Sequence, residues 1–232
     1  MGLALEIGLL ADLKESDPQG FASYQKQFEQ LNQLLQLREL PLHHEPTTLD
    51  DKQKWGCDLW GYSGLHTLRR VAALIALTNQ LPTPLVREER ASQDLMVEKY
   101  YSLFQRSPKN IWSRFLGKSQ NFGRQFQHLM IHSDSEGFYL PIDFDDVIQD
   151  SAAFGGAVGS SVKLLKECKI LASKLNLPLH IDSESKELWA AAQNPGVGPE
   201  LWQIYGIESF ICSNLLRACE ISIEVKAAIV FT

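Results

Sequence analysis

The chain has 232 residues, of which 28 are acidic and 22 are lysine or arginine, so its net charge is -6. Hydrophobic residues make up 44% and charged residues 22%, values that are typical of globular chains and exclude intrinsic disorder. No apolar run reaches the ~20 residues that cross a bilayer, which excludes a membrane-spanning protein. The acidic balance argues against broad nucleic-acid binding, which needs a cationic surface.

The cysteines and the first residues indicate where the chain works. None of Cys57, Cys168, Cys212 and Cys219 has the two-residue spacing of a zinc or redox motif, which favours buried, reduced thiols. Residues 1–6 lack the basic start of a secretory signal. We therefore expect a soluble, cytoplasmic protein with a single domain over residues 1–232.

The first half of the chain predicts one strand and three helices. Residues 3–13 are expected to form the strand. Asp17 and Pro18 then start a helix whose apolar residues follow at spacings of three and four to about Leu37. After a short extended segment at 40–44 and a polar, turn-rich stretch at 45–61, a helix begins near Ser63. Its residues 71–77 are all apolar, which predicts the centre of the core. Residues 93–105 predict the third helix.

The second half predicts short strands and two long helices. Residues 107–123 are expected to form short helical turns and loops, and residues 126–144 a hairpin that turns at 133–137. A helix follows the glycine-rich segment, a strand is expected at 177–181, and Pro199 opens the last helix before a strand at 227–231. Helices outnumber strands and the βαβ rhythm is absent. The predicted fold class is therefore α+β, a helix-rich single domain with a small mixed or antiparallel sheet.

A short internal similarity links residues 34–43 to residues 171–180. Both segments run from an expected helix end into Leu-Pro-Leu-His. A duplicated helix–strand unit would explain the similarity, but ten residues are too few for a structural repeat, so coincidence is favoured.

Charge is split between two adjacent blocks. Residues 99–124 contain six cations and no acids, whereas residues 125–162 contain six acids and no lysine or arginine. Blocks of opposite sign attract, so we expect them to neutralise each other across the fold.

His132, Asp134 and Glu136 are spaced two residues apart within the acidic block. In an extended chain they would project from one face, and an imidazole with two carboxylates suits a divalent cation. Asp143 would approach them from the returning strand. The favoured alternative is a solvated turn, in which Asp134 bonds its own backbone and Gly137 supplies the positive φ.

A second candidate lies at the start of the central helix, where His66, Arg69 and Arg70 precede the apolar stretch. We predict that this helix start meets the tip of the acidic loop and that the three residues share one polar cluster with it. The alternative, surface arginines and a core histidine, is favoured slightly.

Five small residues at the start of a helix are candidates for an anion site. The exposed amides of such a segment can hold an anion. The segment lacks the lysine of a phosphate loop, so a capped turn is favoured. The candidate residues are Gly155, Gly156, Gly159, Ser160 and Ser161.

Three functions remain open, and the sequence does not decide whether the chain is an enzyme. The leading prediction is a non-catalytic binding protein with a protein partner and no specified function. The alternative is a metal-assisted hydrolase centred on His132, Asp134 and Glu136, with a divalent metal as its cofactor. The third is single-stranded nucleic-acid binding through the basic and aromatic stretch at 99–124, against which the net charge argues. No membrane partner is expected.

Overall fold

A computed structural model describes residues 3–59, 61–85, 90–106, 124–178 and 180–232. The fold is helix-rich α+β with a mixed sheet, which confirms the predicted fold class. No helix in these ranges is long and apolar enough to cross a membrane.

The helices are α1 (Leu9–Ser16), α2 (Pro18–Leu37), α3 (Gly61–Thr78), α4 (Leu95–Arg106), α5 (Gln127–Met130), α6 (Ser161–Lys174), α7 (Lys186–Gln193), α8 (Leu201–Ile204) and α9 (Gly206–Val225). The strands are β1 (Leu3–Ile7), β2 (Trp55–Leu59), β3 (Gly137–Leu140), β4 (Ile148–Gln149), β5 (Ala157–Ser160) and β6 (Ile229–Phe231).

The six strands form one sheet in the order β2-β1-β6-β3-β5-β4. Neighbouring strands run antiparallel except β3 and β5, which are parallel. The last strand along the chain, β6, therefore lies in the middle of the sheet, between β1 and β3.

The sheet separates two apolar cores. Leu3, Leu5 and Ile7 of β1 face the larger core, which contains α3, α6 and α9. Phe138 and Leu140 of β3 face the smaller core, which α1 and α2 cover. Side chains alternate across a strand, so the central strands β3 and β6 contribute to both cores.

The start of α2 follows the prediction, whereas the first strand is shorter than predicted. Asp17 caps α2 by accepting a hydrogen bond from the amide of Gln19, with Pro18 at the first helical position. The strand predicted over 3–13 ends at Ile7 because Gly8 takes φ 86° and turns the chain into α1.

The predicted hairpin over 126–144 is wrong. Its first arm forms the short helix α5, which is buried on all sides, and β3 pairs with β5 and β6 instead. A short apolar run that is buried on all sides is compatible with both a helix and a strand. Periodicity alone therefore led to the wrong prediction of a strand where α5 forms. The strand β2 was missed because polar residues surround it. In the strand expected at 177–181, the described residues 177, 178, 180 and 181 are not in a strand, and residue 179 lies outside the described residues.

The similarity between residues 34–43 and 171–180 marks a shared helix end. After α2, Glu39 takes φ 56° and the amide of Leu40 bonds the carbonyl of Leu35. After α6, Asn176 takes φ 53° and the amide of Leu177 bonds the carbonyl of Ala172 in the same way. Both ends are thus Schellman-type caps, and neither is followed by a strand in the described residues.

Candidate functional site

The start of α3 and the loop before β3 meet, as the sequence predicts. Nε2 of His66 lies 3.1 Å from Oδ2 of Asp134. The guanidinium of Arg69 is 4% exposed and donates to the carbonyls of Leu129 (2.9 Å) and His132 (2.7 Å), with Asp134 4.0 Å away. The carbonyls at the end of a helix lack partners within it. Arg69 therefore fastens the end of α5 and the following loop to α3.

The imidazole of His132 does not join this cluster. It stacks on the ring of Tyr139 at 3.9 Å, and its two nitrogens lie 3.0 and 3.1 Å from the carbonyl oxygens of Ser133 and Phe138. Burial lowers the pKa of His132 to about 4. The ring thus points into the core, while Glu136 is exposed to solvent. An extended chain would have placed these side chains on one face, but the loop is not extended there.

Two other members of the predicted polar cluster lie elsewhere. Nε of Arg70 donates to Asp94 at 2.6 Å, and its Nη1 donates to the carbonyl of Thr83 at 2.9 Å. Asp143 instead pairs with Lys163 at 3.0 Å and with a second lysine at 3.5 Å. In the described ranges no three His, Cys, Asp or Glu side chains are grouped as metal ligands, which includes the proposed set of His132, Asp134 and Glu136.

The candidate anion segment is spread over a turn, a strand and a helix start. Gly155 and Gly156 form the turn with φ 70° and 73°, and Gly159 lies within β5. Ser160 caps α6 by accepting from the amide of Lys163, and its hydroxyl donates to a carbonyl. Ser160 and Ser161 are fully buried, so the amides at this helix start are not open to solvent as the anion site requires.

The acidic loop is partly neutralised, though mainly by cations outside the predicted block. Asp145 lies 2.7 Å from Lys163 on α6, and Asp150 lies 3.5 Å from Arg38 at the end of α2. From the basic block, Arg124 pairs with Asp146 at 2.6 Å. Residues 107–123, which hold half of the predicted basic block, lie outside the described residues.

Three other carboxylates lie on β1, on β2 and directly before β3, and we name Glu6, Asp58 and Glu136 the acidic row. Glu6 lies on β1 facing away from the larger core, and Asp58 on β2 is paired with Ala4 of β1. Glu136 immediately precedes β3. In the described part of the chain, none of the three carboxylates forms an ion pair with a cation.

The pKa values of Glu6 and Tyr24 are raised by burial and, to a smaller extent, by nearby carboxylates. Burial, followed by the charge of Asp12, raises the pKa of Glu6. Burial and then the charges of Glu6 and Glu136 raise the pKa of Tyr24 on α2. Burial is the larger cause of both shifts, and the smaller charge contributions come from Asp12 on Glu6 and from Glu6 and Glu136 on Tyr24.

The surrounding segment adds to this negative potential. Residues 1–58, which form β1, α1, α2 and most of β2, contain ten acids and five cations. One of those cations, Lys54, is shared between Asp12 at 3.8 Å and Asp51 at 3.4 Å. Residues 1–58 therefore carry a net charge of -5, from ten acids and five cations.

Sequence reasoning singled out Glu136 but missed Glu6 and Asp58. The alternation in residues 3–7 was a usable signal, because it places Glu6 opposite the buried leucines. The pairing of β1 with β2 and β6 could not be derived from the pattern, since register depends on contacts between distant segments.

A family model described as "Putative DNA-mimic protein" matches residues 1–231. No curated protein and no solved structure shows a significant match to the chain.

This family match corrects the function predicted from the sequence. A DNA mimic takes the place of nucleic acid, so the prediction of single-stranded nucleic-acid binding through residues 99–124 is wrong. Binding to a protein partner, which was the leading prediction, is compatible with a DNA-mimic family, and the match does not test the metal-assisted hydrolase.

Proposed function

The chain belongs to this DNA-mimic family, and on that basis we propose that it binds a DNA-binding protein in the place of DNA. The acidic row and the carboxylates around it would occupy the positions of phosphates. Such a partner carries a cationic groove or patch, whose long-range field attracts any surface of matching negative charge.

The spacing of the acidic row supports the proposal. Adjacent strands lie about 4.8 Å apart, and β2 and β3 are separated by three such intervals, or about 14 Å. Glu6 lies one interval from β2 and two from β3, and it is two residues along β1 from the Ala4–Asp58 pair, so the three charges average one per about 7 Å across the sheet without lying on one line. A DNA strand carries one phosphate per about 3.4 Å of helix axis, so the acidic row has about half the mean charge density of one strand.

The rigidity of the supporting elements also favours this surface. Glu6 and Asp58 lie on paired strands, and Thr232 beside β6 lies 3.5 Å from the Glu6 carboxylate through its hydroxyl. Arg69 fastens the loop that carries Glu136. Charges on a fixed scaffold lose little conformational entropy when a partner binds.

The observation that carries the proposal is the family match over residues 1–231, and the test is competition with DNA. The immobilised protein is exposed to a nuclease-treated lysate, and bound proteins are eluted with duplex DNA and identified. We expect eluted proteins to be DNA-binding proteins, and their affinity to fall steeply with salt because the contacts are ionic.

Matched charge-neutralised variants locate the surface. Glu6→Gln, Asp58→Asn and Glu136→Gln combined remove three charges from the row. Losing three ionic contacts of about 0.5–1 kcal/mol each weakens binding about tenfold or more. The control neutralises three exposed acids elsewhere, namely Glu98, Glu187 and Glu224. Capture that DNA does not displace would contradict DNA mimicry, and equal losses in both variants would contradict the location.

A further inference from the structure

A groove between α6 and α9 is separate from the acidic row. Its volume is about 960 Å³, within the range of clefts that hold small ligands. The two helices form its sides, and residues 176–178 and 181–183 complete the wall. Its apolar lining consists of Ala172, Leu177, Pro178, Ile181 and Leu216.

Two serine hydroxyls in this groove lack a protein partner. Ser183 is 8% exposed and Ser213 is 5% exposed. Neither hydroxyl makes a hydrogen bond to any described residue, and both serines line the groove. Polar groups that are this deeply buried are nearly always hydrogen-bonded, so the groove offers two positions for the polar atoms of a ligand.

Four charged side chains of the groove form no ion pair in the described part of the chain, although the Asp182 carboxylate accepts a hydrogen bond from the amide of Glu184 at 3.0 Å. Lys169 on α6 and Arg217 on α9 supply the cations, and Asp182 and Glu220 supply the carboxylates. No pair of them comes within 4.0 Å, although both signs line the same groove. A ligand with one charge of each sign would complement this lining.

We propose that the groove binds a short peptide with free termini and apolar side chains. The terminal carboxylate binds Arg217 and Lys169, and the terminal ammonium binds the two acids. The peptide group bonds the hydroxyls of Ser183 and Ser213, and the side chains cover the apolar lining. Each part of the lining thus has a counterpart in one ligand class, which neither a simple anion nor a pure hydrocarbon provides.

The test measures the affinity of the dipeptide leucyl-leucine for the full chain by calorimetry. Its N-acetylated and C-amidated forms serve as matched probes, since each lacks one charge. A lost charged hydrogen bond corresponds to about tenfold in affinity or more, so both capped forms are expected to bind at least about tenfold more weakly. Equal binding of the free and capped forms, or no saturable binding of the free dipeptide, would overturn the proposal.

Variants connect this binding to the groove. Arg217→Gln leaves Lys169 in place, so it is expected to reduce the preference for the free over the amidated dipeptide. Ser213→Ala is expected to weaken the binding of both forms. Lys186→Gln, an exposed cation outside the groove, is the matched control and should leave both affinities unchanged. Unchanged affinities in Arg217→Gln would refute the site. The readout is peptide affinity, so it is independent of DNA mimicry.

Discussion

Replacing Arg69 with Met should destabilise the protein strongly, because two well-formed charged hydrogen bonds hold the loop after α5. The bonds to the carbonyls of Leu129 and His132 measure 2.9 and 2.7 Å, and the side chain is 4% exposed. Charged hydrogen bonds contribute about 1.5–3 kcal/mol each, which gives a loss of about 3–6 kcal/mol for Arg69→Met. Methionine keeps the apolar stem, so the loss reports on the guanidinium.

The assay is urea unfolding followed by the fluorescence of the tryptophans. With an m-value of about 2–3 kcal/mol per M, a loss of about 4 kcal/mol lowers the midpoint by about 1.5–2 M. The lysine of Arg69→Lys reaches one carbonyl instead of two, so its unfolding midpoint should lie about halfway between those of wild type and Arg69→Met. It remains measurable if Arg69→Met does not fold.

Arg38→Met is the control for this measurement. Arg38 lies 3.5 Å from Asp150, and the two side chains are 42% and 32% exposed, so the pair contributes about 1 kcal/mol or less. A midpoint for Arg69→Met equal to that of Arg38→Met, at an unchanged m-value, would refute the role of Arg69 as the fastener of the loop.

The remaining predictions concern two buried ionisable groups and one close approach of the backbone. His132 titrates near pH 4 in the folded state and near 6.5 when unfolded, so it destabilises the fold as pH falls through this interval. The free energy of unfolding of His132→Phe relative to wild type should therefore rise by on the order of 3 kcal/mol from pH 7 to pH 4. A difference that does not change with pH would contradict the lowered pKa of His132. Burial raises the pKa of Glu167 to about 8, so the contribution of Glu167 to stability falls as the pH rises from 4.5 to 8. In chemical unfolding, Glu167→Gln should therefore gain stability relative to wild type over that pH range. A Cβ at Gly206 would overlap the Ala191 carbonyl, so Gly206→Ala should destabilise the fold by about 3 kcal/mol. Gly156 has open space around it but takes φ 73°, so Gly156→Ala should destabilise the fold by about 1–2 kcal/mol. Equal melting temperatures of the two variants would contradict this difference.

Local signals predicted the parts of the fold that depend on neighbouring residues. Asp17 and Pro18 started α2 correctly because a cap and its helix lie within one turn of each other. The run after Phe126 was misassigned, since its burial comes from contacts with α3 and α6 that no local pattern contains. The same distinction explains why β2 was missed.

In the candidate sites too, the sequence predicted what charge and expected burial determine and missed what tertiary contacts determine. The meeting of His66 with Asp134 was predictable from charge and from the expected burial of α3. The inward orientation of the His132 ring depends on its stacking with Tyr139, and the separate position of Arg70 depends on Asp94. These partners are chosen by tertiary packing, so spacing along the chain could not identify them.

The central position of β6 constrains the order in which the protein assembles. Residues 229–231 are the sole strand contact between the β1–β2 pair and the strands β3, β5 and β4 in the described sheet. Until this segment has been synthesised, β1 and β3 each expose an unpaired edge, and such edges invite intermolecular pairing. The contacts that close the sheet join residues more than 200 positions apart, so a slow, late step of folding is expected, since loop closure of that length precedes any gain from the contacts. A nascent chain of this protein therefore depends on its last-made strand to complete both cores at once.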